Sequence, residues 1–295
     1  MQITANDVKE LRERTGAGMM ECKKALVESA GDIDAAIEAM RKAGTAKAAK
    51  KAGRITAEGL IEAKVSTDGR IAIMLEVNCE TDFVGKDTHF KTFVAAVAET
   101  ALREKATEVT QLSGLALQGS THTVEEARNA LVIKVGENIQ IRRLVLLEAT
   151  GTVGIYVHGG RIGALVALST DNASLAKDIA MHVAASNPQV LHKEDVSPAL
   201  IQQEREIFIA QSADSGKPAD IIEKMVEGRI SKFVQEISLV NQPFVKNPSV
   251  SVEQLLKEAK AEVTQFTRFE VGEGVEKVVE DFAEAVKAAQ ASGEV

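Results

Sequence analysis

One strand-and-helix unit is written twice in this chain. Asp68-Gly69-Arg70-Ile71-Ala72-Ile73-Met74-Leu75-Glu76-Val77 is echoed by Gly159-Gly160-Arg161-Ile162-Gly163-Ala164-Leu165-Val166-Ala167-Leu168. Downstream, Phe90-Lys91-Thr92-Phe93-Val94-Ala95-Ala96-Val97-Ala98 matches Ala176-Lys177-Asp178-Ile179-Ala180-Met181-His182-Val183-Ala184. A repeated supersecondary unit limits the fold, because each copy has the same apolar faces to bury. The strands are offset by 91 positions and the helices by 86, so the second copy is five residues shorter between them. The extra stretch of the first copy holds Thr81, Asp82 and Phe83. A scaffold that can omit these residues does not need them for packing, so they are candidates for function.

Around the repeat the apolar pattern alternates with period two. Ile61, Ala63 and Val65 share one face, Asp68-Gly69 turns the chain, and Ile71 to Val77 returns. Helices are predicted at 90–104 and at 124–135, the latter stopped by Gly136, and Ile139, Ile141, Val145 and Leu147 mark another strand. The second copy runs through Val153, Ile155 and Val157, turns at Gly159-Gly160, and continues into a helix at 174–186 that stops before Asn187-Pro188. Val263 to Val271 is expected to add a strand to the second sheet. Tight hairpins with helices packed on one face indicate an α+β fold with antiparallel sheets.

The flanks read differently. Residues 1–45 form a three-helix N-terminal domain. Thr4 caps the first helix, with Val8 and Leu11 inward. Thr15-Gly16-Ala17-Gly18 is a turn, Met19 to Ser29 the second helix, and Asp32 the cap of a third that carries Ile33, Ile37 and Met40 and closes at Gly44. Residues 46–58 are a linker, its Ala- and Lys-rich stretch either helical or flexible. Core subdomains are expected at 59–150 and 151–274, the second interrupted by a coiled-coil hairpin insertion at 198–240 that turns at Ser215-Gly216-Lys217-Pro218. The tip of that hairpin is a candidate surface for a second copy or another partner, with a plain scaffold insertion as the alternative. A short helix is predicted at 252–260, and residues 275–295 form a C-terminal helical module.

Charge narrows the function classes. The net charge is −8, and residues 1–55 hold 11 basic and 8 acidic side chains while the remainder holds 24 and 35. An acidic body with 3% aromatic residues is a poor binder of nucleic acid. No apolar run approaches the roughly 18 residues of a membrane span, and the first residues lack a secretory leader pattern. Cys22 and Cys79 are too few for a disulfide framework, so free thiols in a reducing cytoplasm are expected.

No enzyme signature holds. Gly85-Lys86-Asp87-Thr88 lacks the first Gly and the Ser/Thr of a phosphate loop. His89, His122, His158, His182 and His192 show no metal-ligand spacing, and no cofactor fingerprint follows a strand. A binding protein without catalytic residues, metal or cofactor is therefore expected. Within Asn78-Cys79-Glu80-Thr81-Asp82-Phe83-Val84-Gly85-Lys86, an acid stands beside a large ring on a loop that should be polar. Either Phe83 enters another molecule or it folds back into the core.

Leu11-Arg12-Glu13-Arg14-Thr15-Gly16-Ala17-Gly18-Met19-Met20-Glu21-Cys22-Lys23-Lys24-Ala25-Leu26 closely resembles the N-terminal signature of the bacterial elongation factor Ts family. Thr81-Asp82-Phe83-Val84 is similar to the second signature of that family. Further matches are Val135-Gly136-Glu137-Asn138-Ile139, the helix Ile179 to Ala185, Glu223 to Arg229, and Arg268 to Gly274; Glu21 and Glu80 depart from the usual Asp and Gln. The resemblance implies a nucleotide exchange factor for the GTPase elongation factor Tu. It also implies a ubiquitin-associated-like N-terminal domain and a Thr81–Val84 loop whose Phe83 wedges into the GTPase and disturbs its Mg²⁺ site. Arg12, Met19, Met20, Val135, Gly136 and His158 are implied as secondary contacts. The competing reading is an adaptor or chaperone that binds through the helical module without nucleotide exchange.

Overall fold

The computed structural model describes residues 3–212 and 218–276. Its first three helices are α1 (Ala5–Thr15), α2 (Met19–Glu28) and α3 (Ile33–Lys51). Thr4 and Asp7 exchange hydrogen bonds in a capping box at the start of α1, and Gly16 ends it with a φ of 67°. Leu11, Ala17, Cys22, Ala25, Leu26 and Ala36 form the small core of this bundle.

One feature here differs from the sequence reading. The third helix does not close at Gly44 but runs on to Lys51, so the linker expected at 46–58 begins as helix, one of the two forms expected of it. The Ala- and Lys-rich composition favours that continuation. Gly44 serves a close approach instead: a β-carbon there would lie 2.1 Å from Cδ1 of Ile133 on a neighbouring helix. The helix expected over 275–291 and the turn at 215–217 lie outside the described residues.

The chain continues through β1 (Glu58–Val65), β2 (Ile71–Cys79), α4 (Asp82–Lys86), α5 (Thr88–Arg103), α6 (Val109–Ser113), α7 (Val124–Val135) and β3 (Ile139–Glu148). Then come β4 (Val153–His158), β5 (Ile162–Leu168) and α8 (Ala173–Ser186), followed by the mutually packed helices α9 (Pro198–Ser212) and α10 (Ala219–Ile237). A small hairpin, β6 (Pro243–Phe244) and β7 (Asn247–Ser251), α11 (Val252–Glu258) and β8 (Val263–Glu270) complete the described order. The small hairpin and α6 carry too few residues to show a period in sequence.

The sheets are antiparallel, in the orders β1-β2-β3 and β4-β5-β8. Period-two alternation divides β2 between two cores. Ile73, Leu75, Val77 and Cys79 face α5 and α7, whereas Ala72 and Met74 face the second sheet. In β5, Leu165 and Ala167 meet the first sheet while Ala164, Val166 and Leu168 pack under α8. Four layers result, helix on sheet on sheet on helix. The sequence reading placed helices on one face and left the other open; the apolar opposite faces bury each other. Gly163 permits that closure, since a β-carbon would sit 2.6 Å from both Ile61 Cγ2 and Met74 Sδ. One charge is buried beside this layer: Glu76 receives Arg142 at 3.1 Å, Arg143 at 2.6 Å and the Gly272 amide at 2.8 Å, as a buried carboxylate requires.

Candidate functional site

The segment missing from the second copy is not an irregular loop. Residues Asp82–Lys86 make one helical turn, α4, between β2 and α5. Thr81 is its N-cap, the hydroxyl accepting from the Val84 amide at 3.5 Å, and Asp87 ends it while capping α5 through the His89 and Phe90 amides. In the second copy Asn172 caps α8 directly after β5, so the five-residue difference is this turn. Val84 and Gly85 point inward and are buried, while Asp82 and Phe83 point outward. Phe83 is 80% exposed, against 0% for Phe90 and 7% for Phe93 in the next helix. A helix this short cannot hold its own conformation, because nucleation is costly; tertiary contacts must fix it.

Those contacts cross to the turn between α7 and β3. Gly136 ends α7 in the left-handed region (φ 80°), which delivers Glu137 and Asn138 to the root of α4. Glu137 Oε2 accepts from the Thr81 amide at 3.0 Å and Oε1 from the Thr81 hydroxyl at 2.6 Å. In return Glu80 Oε1 accepts from the Asn138 amide at 2.6 Å. Asn138 Nδ2 donates to the carbonyls of Ala52 (3.3 Å) and Arg54 (2.9 Å), and Lys51 Nζ donates to the Gly136 carbonyl. The end of α3, the α7–β3 turn and α4 are thus one connected polar network.

Charge around the turn is mixed. Asp82 Oδ2 accepts from Lys86 Nζ at 2.6 Å. That bond, with smaller help from the charge of Arg161, holds the Asp82 carboxyl below the usual carboxylate range. Burial first, then the charges of Glu137 and Glu58, push the Cys79 thiol up to about 12; its Sγ lies 3.1 Å from the Thr81 carbonyl. Such a thiol is a packed donor and no nucleophile. Among the described residues no group of three or more His, Cys, Asp or Glu side chains is arranged to hold a metal ion, and no helix is long and apolar enough to cross a membrane.

Thr81, Asp82, Phe83 and Val84 therefore share one turn, and Val135 and Gly136 adjoin it through Glu137. His158 ends β4, exposed, with Nδ1 3.2 Å from the Tyr156 hydroxyl. Its hairpin reaches the same edge of the molecule: the Ile61 amide donates to the Gly160 carbonyl at 2.8 Å, and Arg161 pairs with Glu58 at the start of β1. Arg12, Met19 and Met20 stand apart in the helical bundle, all exposed, Met19 at 60% and Met20 at 75%. The bundle approaches the site through its Gly16 turn. A β-carbon at Gly16 would lie 3.0 Å from Lys134 Nζ. That nitrogen is 3.2 Å from Nδ1 of His89, two residues beyond Asp87. Glu137, Arg161 and Glu58 were given no role from sequence. Their partners lie up to 103 residues away, and only the position of Glu137 within the Val135–Ile139 motif marked it.

A family profile described as "Elongation factor TS" matches residues 80–273. A protein of Thioalkalivibrio sulfidiphilus named "Elongation factor Ts" is 57% identical over 295 residues, covering 99% of this chain and 100% of its own length. Proteins of the same name from Legionella pneumophila (strain Paris), 55% identical over 97% of this chain and 98% of their own, and from Alcanivorax borkumensis, 56% over 96% and 99%, are similar to it throughout.

Proposed function

The chain belongs to the elongation factor Ts family, and on that premise we propose that it is the guanine-nucleotide exchange factor of translation elongation, acting in the cytoplasm on elongation factor Tu bound to GDP. A translation elongation role follows from the family; the residue-level mechanism is our reading. Phe83, held outward on a fixed turn, carries it. In a P-loop GTPase the nucleotide is held by backbone amides, a lysine and Mg²⁺. Seating Phe83 in an apolar slot of the GTPase supplies about 1.5–3 kcal/mol of burial. That energy favours the GTPase conformation in which the slot is open, and Asp82 then brings negative charge toward the metal site. Mg²⁺ is displaced, GDP loses its neutralising partner and leaves, and GTP binds.

Linkage makes the effect reciprocal: whatever factor by which the chain weakens GDP binding, GDP weakens binding of the chain. Coupling of 1–3 kcal/mol is typical of one such relationship, so the secondary contacts are needed. Arg12, Met19 and Met20 on the ubiquitin-associated-like bundle, Val135-Gly136, and His158 on the second sheet supply them. The helical pair α9–α10 acts as a coiled-coil arm, with Ile207, Ile209 and Ile221 exposed for a partner or a second copy. The test is release of fluorescent GDP from elongation factor Tu. The chain should accelerate it in proportion to its occupancy of the GTPase; binding without acceleration would instead identify an adaptor.

A further inference from the structure

We propose that Glu137 is a positioning residue for the Phe83 turn, and that the α7–β3 turn carrying it couples the helical bundle to that turn; the functional half of this inference rests on the exchange reading above. Thr81 has one hydroxyl proton, and Glu137 Oε1 takes it at 2.6 Å. The oxygen of Thr81 is then left with its lone pairs for the Val84 amide, which it meets at 3.5 Å. The carboxylate therefore orients the very group that caps α4. Its second oxygen takes the Thr81 amide at 3.0 Å, so the residue that starts the turn is held at two points.

The clamp is crossed. Glu80, next to Thr81, takes the amide of Asn138, next to Glu137, at 2.6 Å. Two adjacent residues on each side exchange a carboxylate for backbone or hydroxyl protons, which fixes rotation as well as distance. Arg54 balances the Glu80 charge at 3.4 Å. Asn138 also reaches back to the carbonyls of Ala52 and Arg54, just past the end of α3. Displacement of α3 is thereby felt at Asn138 and, through the clamp, at Thr81. Without the clamp, α4 is a five-residue helix that places Phe83 in many directions. A preformed turn avoids that ordering cost when Phe83 enters its slot.

Glu137→Gln, which keeps an acceptor but removes the charge, and Glu137→Ala, which removes both, separate positioning from folding. In the free chain, hydrogen exchange at the Val84 and Gly85 amides should speed up roughly tenfold in Glu137→Ala while β2 and α5 keep their protection. At saturating chain, the GDP-release rate should fall roughly tenfold for Ala and less for Gln, with a smaller change in the half-saturating concentration. Thr81→Val combined with Glu137→Ala should cost less than the sum of the two single changes, because both remove the same hydroxyl–carboxylate bond. Unchanged amide protection, or a loss confined to half-saturation, overturns the assignment. Failure of the wild-type chain to release GDP would instead sink the exchange reading, while amide exchange in the free chain still decides the clamp.

Discussion

Phe83 and Cys79 lie four positions apart and have opposite fates. Both are side chains that a protein normally buries, yet Cys79 is fully enclosed and Phe83 is 80% exposed. The difference is set by what each does for the first core. Cys79 is the last inward residue of β2, under α5, whereas Phe83 sits on the outer side of a turn whose inner side is already filled by Val84. The thiol provides a test of that enclosure. With its pKa pushed up to about 12, only roughly one thiol in ten thousand is ionised at pH 8. Alkylation of Cys79 by iodoacetamide, read by peptide mass, should be slow in the native chain and fast in urea. Rapid native modification would mean that the root of the turn opens readily. The sequence made Phe83 legible because the sister copy lacks it. It could not reveal that Glu137, 56 residues from Thr81, fixes the turn, because nothing in spacing connects a carboxylate to an amide across the four intervening helices α4 to α7.

Among elements, the helices and strands follow their local signals where caps and periods are strong. Gly136 ends α7 as read from sequence, and a Thr123–Glu126 capping box fixes its start. Packing decides where local signals are weak. Gly44 looks like a helix stop, but it is the point where α3 crosses α7 closely enough to exclude a side chain. Gly44→Leu should therefore cost about 1–3 kcal/mol through overpacking, despite the better helix propensity of Leu. Ile133→Ala should recover much of that loss in the double variant. Thermal melts of the four proteins measure the coupling; strictly additive effects would show that the α3–α7 seam does not depend on this contact. The same limit explains why the four-layer arrangement escaped the sequence reading. Alternation identifies two apolar faces on β2 and β5, but it does not say which neighbour covers each.

The whole molecule is tied together by polar residues at the joints between layers. Glu76 binds the segment after β8 to the first sheet. His182 does similar work on the other side, fully buried between α8 and the β6–β7 hairpin. Its Nδ1 accepts from the Val245 amide at 3.1 Å, so the proton resides on Nε2, which donates to Gln242 Oε1 at 2.8 Å. Burial lowers the pKa of this imidazole from its ordinary 6.5. The unfolded chain therefore binds the proton more readily than the folded one. The stability that His182 contributes is complete above pH 6.5 and is lost as pH falls from there toward the folded pKa. Melting temperature should drop between about pH 7 and 5.5, above the carboxylate range, and the drop should be shallower in His182→Asn. Equal slopes would assign the acid sensitivity to other groups.

At this scale the described residues form a layered body that carries Phe83 on a small outward turn, with a helical bundle packed beside it. The most direct measurement is stopped-flow release of fluorescent GDP from elongation factor Tu at saturating chain, comparing wild type with Asp82→Ala/Phe83→Ala. Both positions are exposed, so the variant should melt within about 0.5 kcal/mol of wild type. It should still bind the GTPase through the bundle and second sheet, while its GDP release falls by roughly an order of magnitude or more, as loss of about 1.5–3 kcal/mol of burial requires. Release at the wild-type rate by a folded, bound double variant would contradict the central claim.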